Sequence, residues 1–219
     1  MHRDLTRWLQ LSRGALSPAE AGDVGRPARH PEVDRVREEL LRLGVKERFR
    51  FVWSADGSGV EEEDPRVIHL HRALTRAAGA PAPVRAAAER ALALDLASVL
   101  RHELGHALLF LRPRPAHTGE FRRLFGDVDV TYRVGNPVDE VMRRIDAHGG
   151  LDNPRYRRVV SLYAATHPHE RFAEAVRVAL RCGADEVALR RWTEAHGAAP
   201  VVARQLAWAA RWLRGWSRC

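Results

Sequence analysis

A chain of 219 residues with 45% hydrophobic and 29% charged residues has the composition of a soluble globular protein of about one domain. No apolar run is long enough to span a membrane, since Asp95 interrupts ALALDLASVL and Arg112 bounds ALLFL, and the N-terminus has no uninterrupted apolar stretch typical of a secretion signal. Two cysteines without a CxxC pair do not form a disulfide framework. We therefore expect a cytoplasmic protein with no membrane span.

The net charge of +8 raises the question of nucleic-acid binding. Lys46 is the only lysine among 36 basic residues, and the arginines are spread along the chain in pairs. An even spread of this kind is typical of a solvated basic surface and not of a nucleic-acid footprint. We do not expect nucleic acid as a partner, although the charge favours some attraction to anionic molecules.

The N-terminal part divides into a leader and the start of a domain. Residues 1–30 mix Gly, Pro, Ser and Arg, which predicts a loosely ordered leader ahead of one domain at 31–219. A helix is predicted from Pro31, because apolar residues recur at helical spacing and Gly44 ends the pattern. The two glutamates at 38–39 are expected to point outward.

Two strands are predicted next. The segment RFRFVWS alternates, with Phe49, Phe51 and Trp53 on one face, and VIHL at 67–70 is a second short strand. We expect 67–70 to lie at the edge of a small sheet, where an extended peptide could pair with it.

A long helical segment at 83–112, ended by Pro113, contains the sequence HELGH. On a helix, His102 and His106 lie four residues apart on one face, so both imidazoles can reach one metal ion. Glu103 lies at the border of that face, where a carboxylate can act as a general base. Two neutral imidazoles and an adjacent carboxylate are suited to a zinc-activated water.

Proline and glycine punctuation predicts that the rest of the chain is helical. The predicted segments are 137–149, 154–163, 168–182, 184–196 and 200–217. The predicted fold class is α+β, mostly helical, with a small N-terminal sheet and HELGH on a central helix.

A hydrolytic zinc site needs a third protein ligand, and YAATHPHERFAEAVRVAL is the best source of it. Glu170 and Glu174 share a helix face, so one can bind zinc while the other accepts a hydrogen bond from a ligand histidine. His167 and His169 are competing ligands. Weaker candidates lie in loops or near helix ends: His117, Asp129 and His148.

HELGH followed by SLYAATHPHERFAEA resembles the gluzincin branch of the zincin metallopeptidases. More narrowly, it is similar to the bacterial family described as "putative zinc-binding metallopeptidases", whose members carry a HExGH helix, an LFG-containing segment and a YAxxHPxExxAE segment. LFGD at 124–127 matches the middle segment. The last segment also resembles the catalytic domain of the lethal-factor toxin. The resemblance covers about residues 95–182.

This resemblance implies a zincin-like domain that hydrolyses peptide bonds of a peptide or protein substrate. It implies that Glu170 is the third zinc ligand, that Glu174 supports a ligand histidine, and that Tyr163 donates a hydrogen bond to the developing oxyanion. A buried core tyrosine is the alternative for Tyr163. The chain departs from the family pattern at Arg171, usually acidic, and at Phe172, often Trp. Neither position is a ligand, so metal binding is expected to persist, but the family's pocket charge and substrate preference are not carried over to this chain.

Two interpretations from other classes stay open. A non-catalytic zincin-like module could bind zinc for structure, for a partner or for an anionic surface, and it would fill the fourth coordination position with a protein side chain. The C-terminal stripe of Trp208, Trp212 and Trp216 among arginines could lie on an anionic membrane or nucleic acid, although such stripes more often pack on their own domain.

Overall fold

The computed structural model of the protein describes residues 30–54, 58–61, 63–71, 95–131 and 154–216, together with positions 143 and 147. These residues form a mostly helical α+β fold, as predicted. Its α-helices are α1 Pro31–Arg42, α2 Leu96–Leu111, α3 Gly119–Phe125, α4 Pro168–Arg181, α5 Glu186–Ala195 and α6 Pro200–Gly215. Its strands are β1 Arg50–Ser54, β2 Gly59–Val60 and β3 Val67–His71.

Several predicted segments lie outside the described residues, namely 1–29 of the leader, 83–94 of the long helix and most of 137–149. The helices predicted from Pro31, from Pro168, at 184–196 and at 200–217 are all confirmed, with each end within two residues of the prediction.

The small sheet has the order β1-β3-β2, so its middle strand is β3. β1 runs parallel to β3, with Arg50 opposite Val67, and β2 runs antiparallel to it, with Val60 opposite Ile68. The expectation that 67–70 forms the edge is therefore wrong. Both sides of β3 already carry hydrogen-bonded neighbours, including Glu61, whose backbone N–H donates to Val67 at 3.0 Å.

Helix α2 is the central element, packed against α1, β3 and α4. It begins at Leu96 because Asp95 has an extended backbone and its carboxylate accepts the N–H of Ser98 at 2.9 Å. One uninterrupted helix from 83 to 112 is thus wrong at Asp95. Thirteen of the sixteen residues of α2 are buried, so the polar HELGH side chains lie inside the protein.

The crossing of α2 and α4 depends on Gly105, the glycine of HELGH. A Cβ placed at Gly105 would lie 2.8 Å from the Ala173 Cα atom and 3.2 Å from its Cβ and carbonyl oxygen. Those distances are shorter than van der Waals contact, so only glycine lets the two backbones approach this closely. The same close approach brings the HELGH histidines to the glutamates of α4.

The segment before α4 is not the helix predicted from Pro154. It forms two short 3-10 turns, Pro154–Arg158 and Tyr163–Ala165, separated by bends. The Ser161 hydroxyl accepts the backbone N–H of Ala164 at 3.2 Å, a local bond that competes with helical pairing. The turn at 163–165 places Tyr163 against α2.

The C-terminal tryptophan stripe packs on the domain, which confirms the favoured interpretation. Trp208 and Trp216 are buried, and their indole N–H groups donate to Glu120 at 3.1 Å and to Glu47 at 2.7 Å. Within the described ranges, no helix combines the length and apolar character needed to cross a membrane.

Candidate metal centre

Two histidines of α2 and one glutamate of α4 converge in the protein interior. His102 Nε2 lies 3.0 Å from His106 Nε2 and 2.9 Å from Glu170 Oε2, and His106 Nε2 lies 3.3 Å from the same carboxylate oxygen. All three side chains are buried. Two imidazole nitrogens that face one carboxylate oxygen form a donor set that suits zinc, so this group could hold a metal ion.

The far side of the His102 ring is held by Glu174. His102 Nδ1 lies 2.9 Å from Glu174 Oε1, which leaves Nε2 directed at His106 and Glu170. The Glu174 carboxylate in turn accepts two hydrogen bonds of 2.9 Å from the buried guanidinium of Arg177. Arg177, Glu174 and His102 thus form a continuous buried chain that ends at the candidate ligands.

The charges of this group shift its pKa values strongly. Burial by itself would lower the pKa of His102, but its hydrogen bonds to Glu170 and Glu174 raise that pKa to about 10 in the metal-free protein. Burial works against ionisation of both glutamates, yet the imidazoles, and Arg177 for Glu174, hold their pKa values well below the usual range. Both carboxylates are therefore anionic at neutral pH.

Glu103 is buried beside the three converging atoms but does not belong to their group. Burial raises the pKa of its carboxyl group, while the charges of His102 and His106 oppose that rise. The carboxylate is thus close enough to sense the site electrostatically and remains a stronger proton acceptor than a solvated glutamate.

Tyr163 lies beside the site rather than in the hydrophobic core. Its ring meets the His102 ring edge to face, with centroids 5.3 Å apart and planes at 65°. The side chain is only partly buried. This position disfavours the alternative of a fully buried core tyrosine.

The competing ligands His167 and His169 stay outside the converging group. His167 caps α4, since its Nδ1 accepts the N–H of His169 at 3.2 Å and its Nε2 donates to the Val130 carbonyl at 2.9 Å. His169 stacks on His167, and its ring centroid lies 6.3 Å from that of His106. Burial and the neighbouring His106 lower the pKa of His169 to about 4.

The weaker candidates do not reach the site either. His117 lies 3.7 Å from Asp129 in an exposed pair, with Arg122 also 3.7 Å from that aspartate. His148 lies outside the described residues. Among the residues that the structure describes, only His102, His106 and Glu170 form a group able to hold a metal ion.

The two departures from the family pattern have structural contacts. Phe172 is fully buried among aromatic rings, with centroids 5.4 Å from Phe121 and 5.5 Å from Phe125, so it belongs to the hydrophobic core. The Arg171 guanidinium donates to the carbonyls of Phe125 at 3.1 Å and Ala164 at 3.4 Å. Its charge is therefore used to join α3 and the 163–165 turn to α4.

Two contacts next to the converging group were missed from sequence. Arg177 is a charged residue within an apolar helical run, three positions after Glu174, and that spacing was an available signal. The close approach at Gly105 had no sequence signal, because its partner Ala173 is 68 residues away and is unremarkable in composition.

Residues 92–196, just under half of the chain, match the family described as "Putative zinc-binding metallo-peptidase". This stretch includes α2, α4 and every residue of the converging group. Neither the curated proteins nor the solved structures contain a significant match to the chain. The predicted resemblance to this family is confirmed over those residues, and the gluzincin and lethal-factor resemblances stay predictions.

Proposed function

We propose that the protein is a zinc-dependent peptidase of the gluzincin type, with His102, His106 and Glu170 as the zinc ligands. The observation that carries this proposal is the convergence of two imidazole nitrogens and one carboxylate oxygen within a buried group whose ligand atoms all lie within 4.8 Å of one another. A glutamate as third ligand, supplied by a second helix, is the feature that supports the gluzincin type. The family match over residues 92–196 supports the same activity.

When bound, zinc supplies a positive centre that acidifies a water molecule and polarises the substrate carbonyl. The Glu103 carboxylate takes a proton from the attacking water as the new C–O bond forms. It then delivers that proton to the leaving nitrogen as the C–N bond breaks, so that one peptide and one water give an acid and an amine. The raised pKa of buried Glu103 suits both halves of this exchange.

Tyr163 is proposed to donate its phenolic O–H to the oxyanion that develops on the substrate carbonyl. Its place on the turn before α4, with its ring against His102, supports this role. Loss of a donor of this kind typically costs ~10²–10³ in rate. Glu174 is proposed to keep the His102 Nδ1–H anchored, which directs Nε2 to the metal.

The composition of the site supports an enzyme over a non-catalytic zinc module. A structural zinc site uses four protein ligands, whereas a catalytic site uses three and leaves one position for water. The described part of the chain adds no fourth His, Cys, Asp or Glu to the group. A general base beside the ligands has no purpose in a structural site.

The test is Glu103→Gln, with zinc content and hydrolysis of a proteome-derived peptide mixture measured on the same samples. We expect wild-type zinc content and a loss of ~10²–10⁴ in rate, since Gln cannot accept the proton. Glu194→Gln, on the exposed face of α5, is the matched control and keeps wild-type activity. Equal hydrolysis by Glu103→Gln and wild type would sink the mechanism.

A further inference from the structure

Arg177 is buried in the middle of α4, with 4% of its surface exposed. Its Nε donates to Glu174 Oε1 and its Nη2 donates to Glu174 Oε2, both at 2.9 Å. This two-point contact matches the fork of the guanidinium to the two oxygens of the carboxylate. An interior arginine is costly to bury, so its position needs a reason beyond packing.

The contact fixes the plane of the Glu174 carboxylate. The terminal torsion of a glutamate is broad, so a carboxylate held at one oxygen can rotate. Here Oε1 accepts from both Arg177 Nε and His102 Nδ1, while Oε2 is occupied by Arg177 Nη2. Rotation would break two hydrogen bonds to Arg177 at once, and so Oε1 stays opposite His102.

The orientation of Glu174 decides which nitrogen of His102 is available to a metal. A histidine that donates Nδ1–H to a carboxylate presents Nε2 as its free lone pair in the neutral form. His102 Nε2 is the atom that meets His106 and Glu170. Arg177 therefore acts on the imidazole of His102 through the Glu174 side chain and does not contact that imidazole directly.

A second, partly buried pair, between α1 and α2, provides an internal control. Arg101, directly before His102 in the chain, donates through Nε and Nη2 to the two oxygens of Glu39 on α1, both at 2.7 Å. The Arg101 and Glu39 side chains are 6% and 12% exposed. This pair has the same two-point geometry but joins two helices and is not hydrogen-bonded to a ligand.

We propose that Arg177 is a positioning residue of the metal site, which locks Glu174 in the orientation that anchors His102 Nδ1–H and so presents His102 Nε2 to zinc. The inference rests on the proposed zinc ligands. It adds to the site a residue that supports the ligand His102 through Glu174. It assigns the buried charge of Arg177 to metal binding and not to stability alone.

The first readout needs neither zinc nor hydrolysis. In nitrogen-edited proton spectra of the metal-free protein, the His102 Nδ1–H of the wild type should give a downfield signal that exchanges slowly with water. Arg177→Met should broaden or remove this signal, while Arg101→Met should retain it. An unchanged signal in Arg177→Met overturns the proposal, and so does an equal loss in Arg101→Met.

The second readout is zinc affinity, measured by competition with a chelator. Substitution of hydrogen-bonding residues outside the ligand set typically costs ~10–100-fold in metal affinity, and we expect Arg177→Met to cost about tenfold. Arg177→Lys keeps the charge but loses the two-point contact, so a similar loss is expected. Wild-type affinity in Arg177→Lys would show that the charge suffices and would contradict positioning.

Removal of Arg177 takes both of its hydrogen bonds from the buried Glu174 carboxylate and leaves His102 as its remaining partner, so Arg177→Met can fail to fold. The Glu174→Gln background avoids this, because a glutamine side chain carries no charge. If Arg177 acts through Glu174, adding Arg177→Met to Glu174→Gln causes no further loss of zinc affinity. Independent, additive losses would refute the proposal. A wild type that shows the Nδ1–H signal yet binds no zinc would instead refute the proposed function.

Discussion

Helix α2 has an arginine–carboxylate pair on each side, one partly and one fully buried, and the two pairs have different consequences. On one side Arg101, within α2, holds Glu39 of α1. On the other side Arg177 of α4 holds Glu174, and that carboxylate also contacts His102 of α2. The pairs share residue types and two-point geometry. They differ in that Arg101 and Glu39 join two helices, whereas Arg177 and Glu174 lie on one helix and their carboxylate has a third partner, His102.

The comparison teaches that buried charge next to α2 has two separate uses. In the pair of Arg101 and Glu39, the two charged groups satisfy each other's hydrogen bonds, and the pair connects α2 to α1. In the pair of Arg177 and Glu174, the carboxylate also contacts His102. The fixed orientation of that carboxylate therefore fixes the orientation of a candidate zinc ligand. Changes on the Arg101 side are expected to affect stability alone, and changes on the Arg177 side to affect metal binding as well.

The largest expected effect is on stability. Arg101→Met leaves Glu39 as an unpaired carboxylate with its side chain 12% exposed, and breaking such a pair typically lowers the free energy of unfolding by about 3–5 kcal/mol. Denaturant melts measure this loss, and adding Glu39→Leu should recover most of it. A lower zinc affinity of the folded Arg101→Met protein would contradict the expectation that the Arg101–Glu39 pair affects stability alone.

The next effect is on metal binding. Glu170→Ala removes a proposed ligand whose Oε2 lies 2.9 Å from His102 Nε2. Substitution of a residue that only hydrogen-bonds to a ligand already lowers metal affinity ~10–100-fold. We therefore expect Glu170→Ala to lower zinc affinity by more than about 100-fold while the fold persists. Chelator competition and circular dichroism measure the two quantities. A wild-type zinc-to-protein ratio would contradict Glu170 as a ligand.

The third prediction concerns Gly105, where α2 crosses α4. In Gly105→Ala the new Cβ would lie 2.8 Å from the Ala173 Cα atom, so α2 and α4 must separate. Overpacking of this kind costs about 1–3 kcal/mol, and the shift should also weaken zinc binding. Gly215→Ala is the control, since a Cβ there meets nothing within 4 Å. Unaltered stability and zinc affinity in Gly105→Ala would show that the close approach is dispensable.

Per pH unit, the smallest effect is on the pH dependence of metal binding. The pKa of His102 is raised to about 10 in the metal-free protein, and zinc needs its neutral imidazole. Zinc affinity should therefore rise up to about tenfold per pH unit between pH 6.5 and 8.5, with one proton released per ion. Calorimetry in buffers of different ionisation enthalpy measures this release. A pH-independent affinity would contradict a protonated His102.

The same raised pKa has a consequence for stability. Folded His102 binds its proton more tightly than the unfolded chain, whose value is near 6.5. Its contribution to stability is thus complete below pH 6.5 and is lost as pH rises toward 10. The metal-free protein should become easier to unfold across this window, and a rise in stability there would contradict the assignment.

Sequence spacing predicted the parts of the site that local geometry determines. The four-residue spacings of His102 and His106 and of Glu170 and Glu174 each place two side chains on one helix face. The helix bounds followed from Pro31, Pro168 and other proline and glycine residues at the ends of the helices. These predictions needed no knowledge of the tertiary structure.

The parts that were missed depend on distant contacts. The glutamates at 38–39 were expected to point outward, but Glu39 pairs with Arg101, 62 residues later. The strand at 67–70 is central and not an edge, because β2 and β1 both pair with it. Neither partner can be found from composition or periodicity, which describe one element at a time.

The most direct test of the central claim is a crystal structure of the zinc-soaked protein with anomalous data at the zinc edge. We predict one peak bonded to His102 Nε2, His106 Nε2 and Glu170, with water in the fourth position and Glu103 beside that water. A peak elsewhere, or a protein side chain in the fourth position, would contradict the assignment of this buried group as a hydrolytic zinc site.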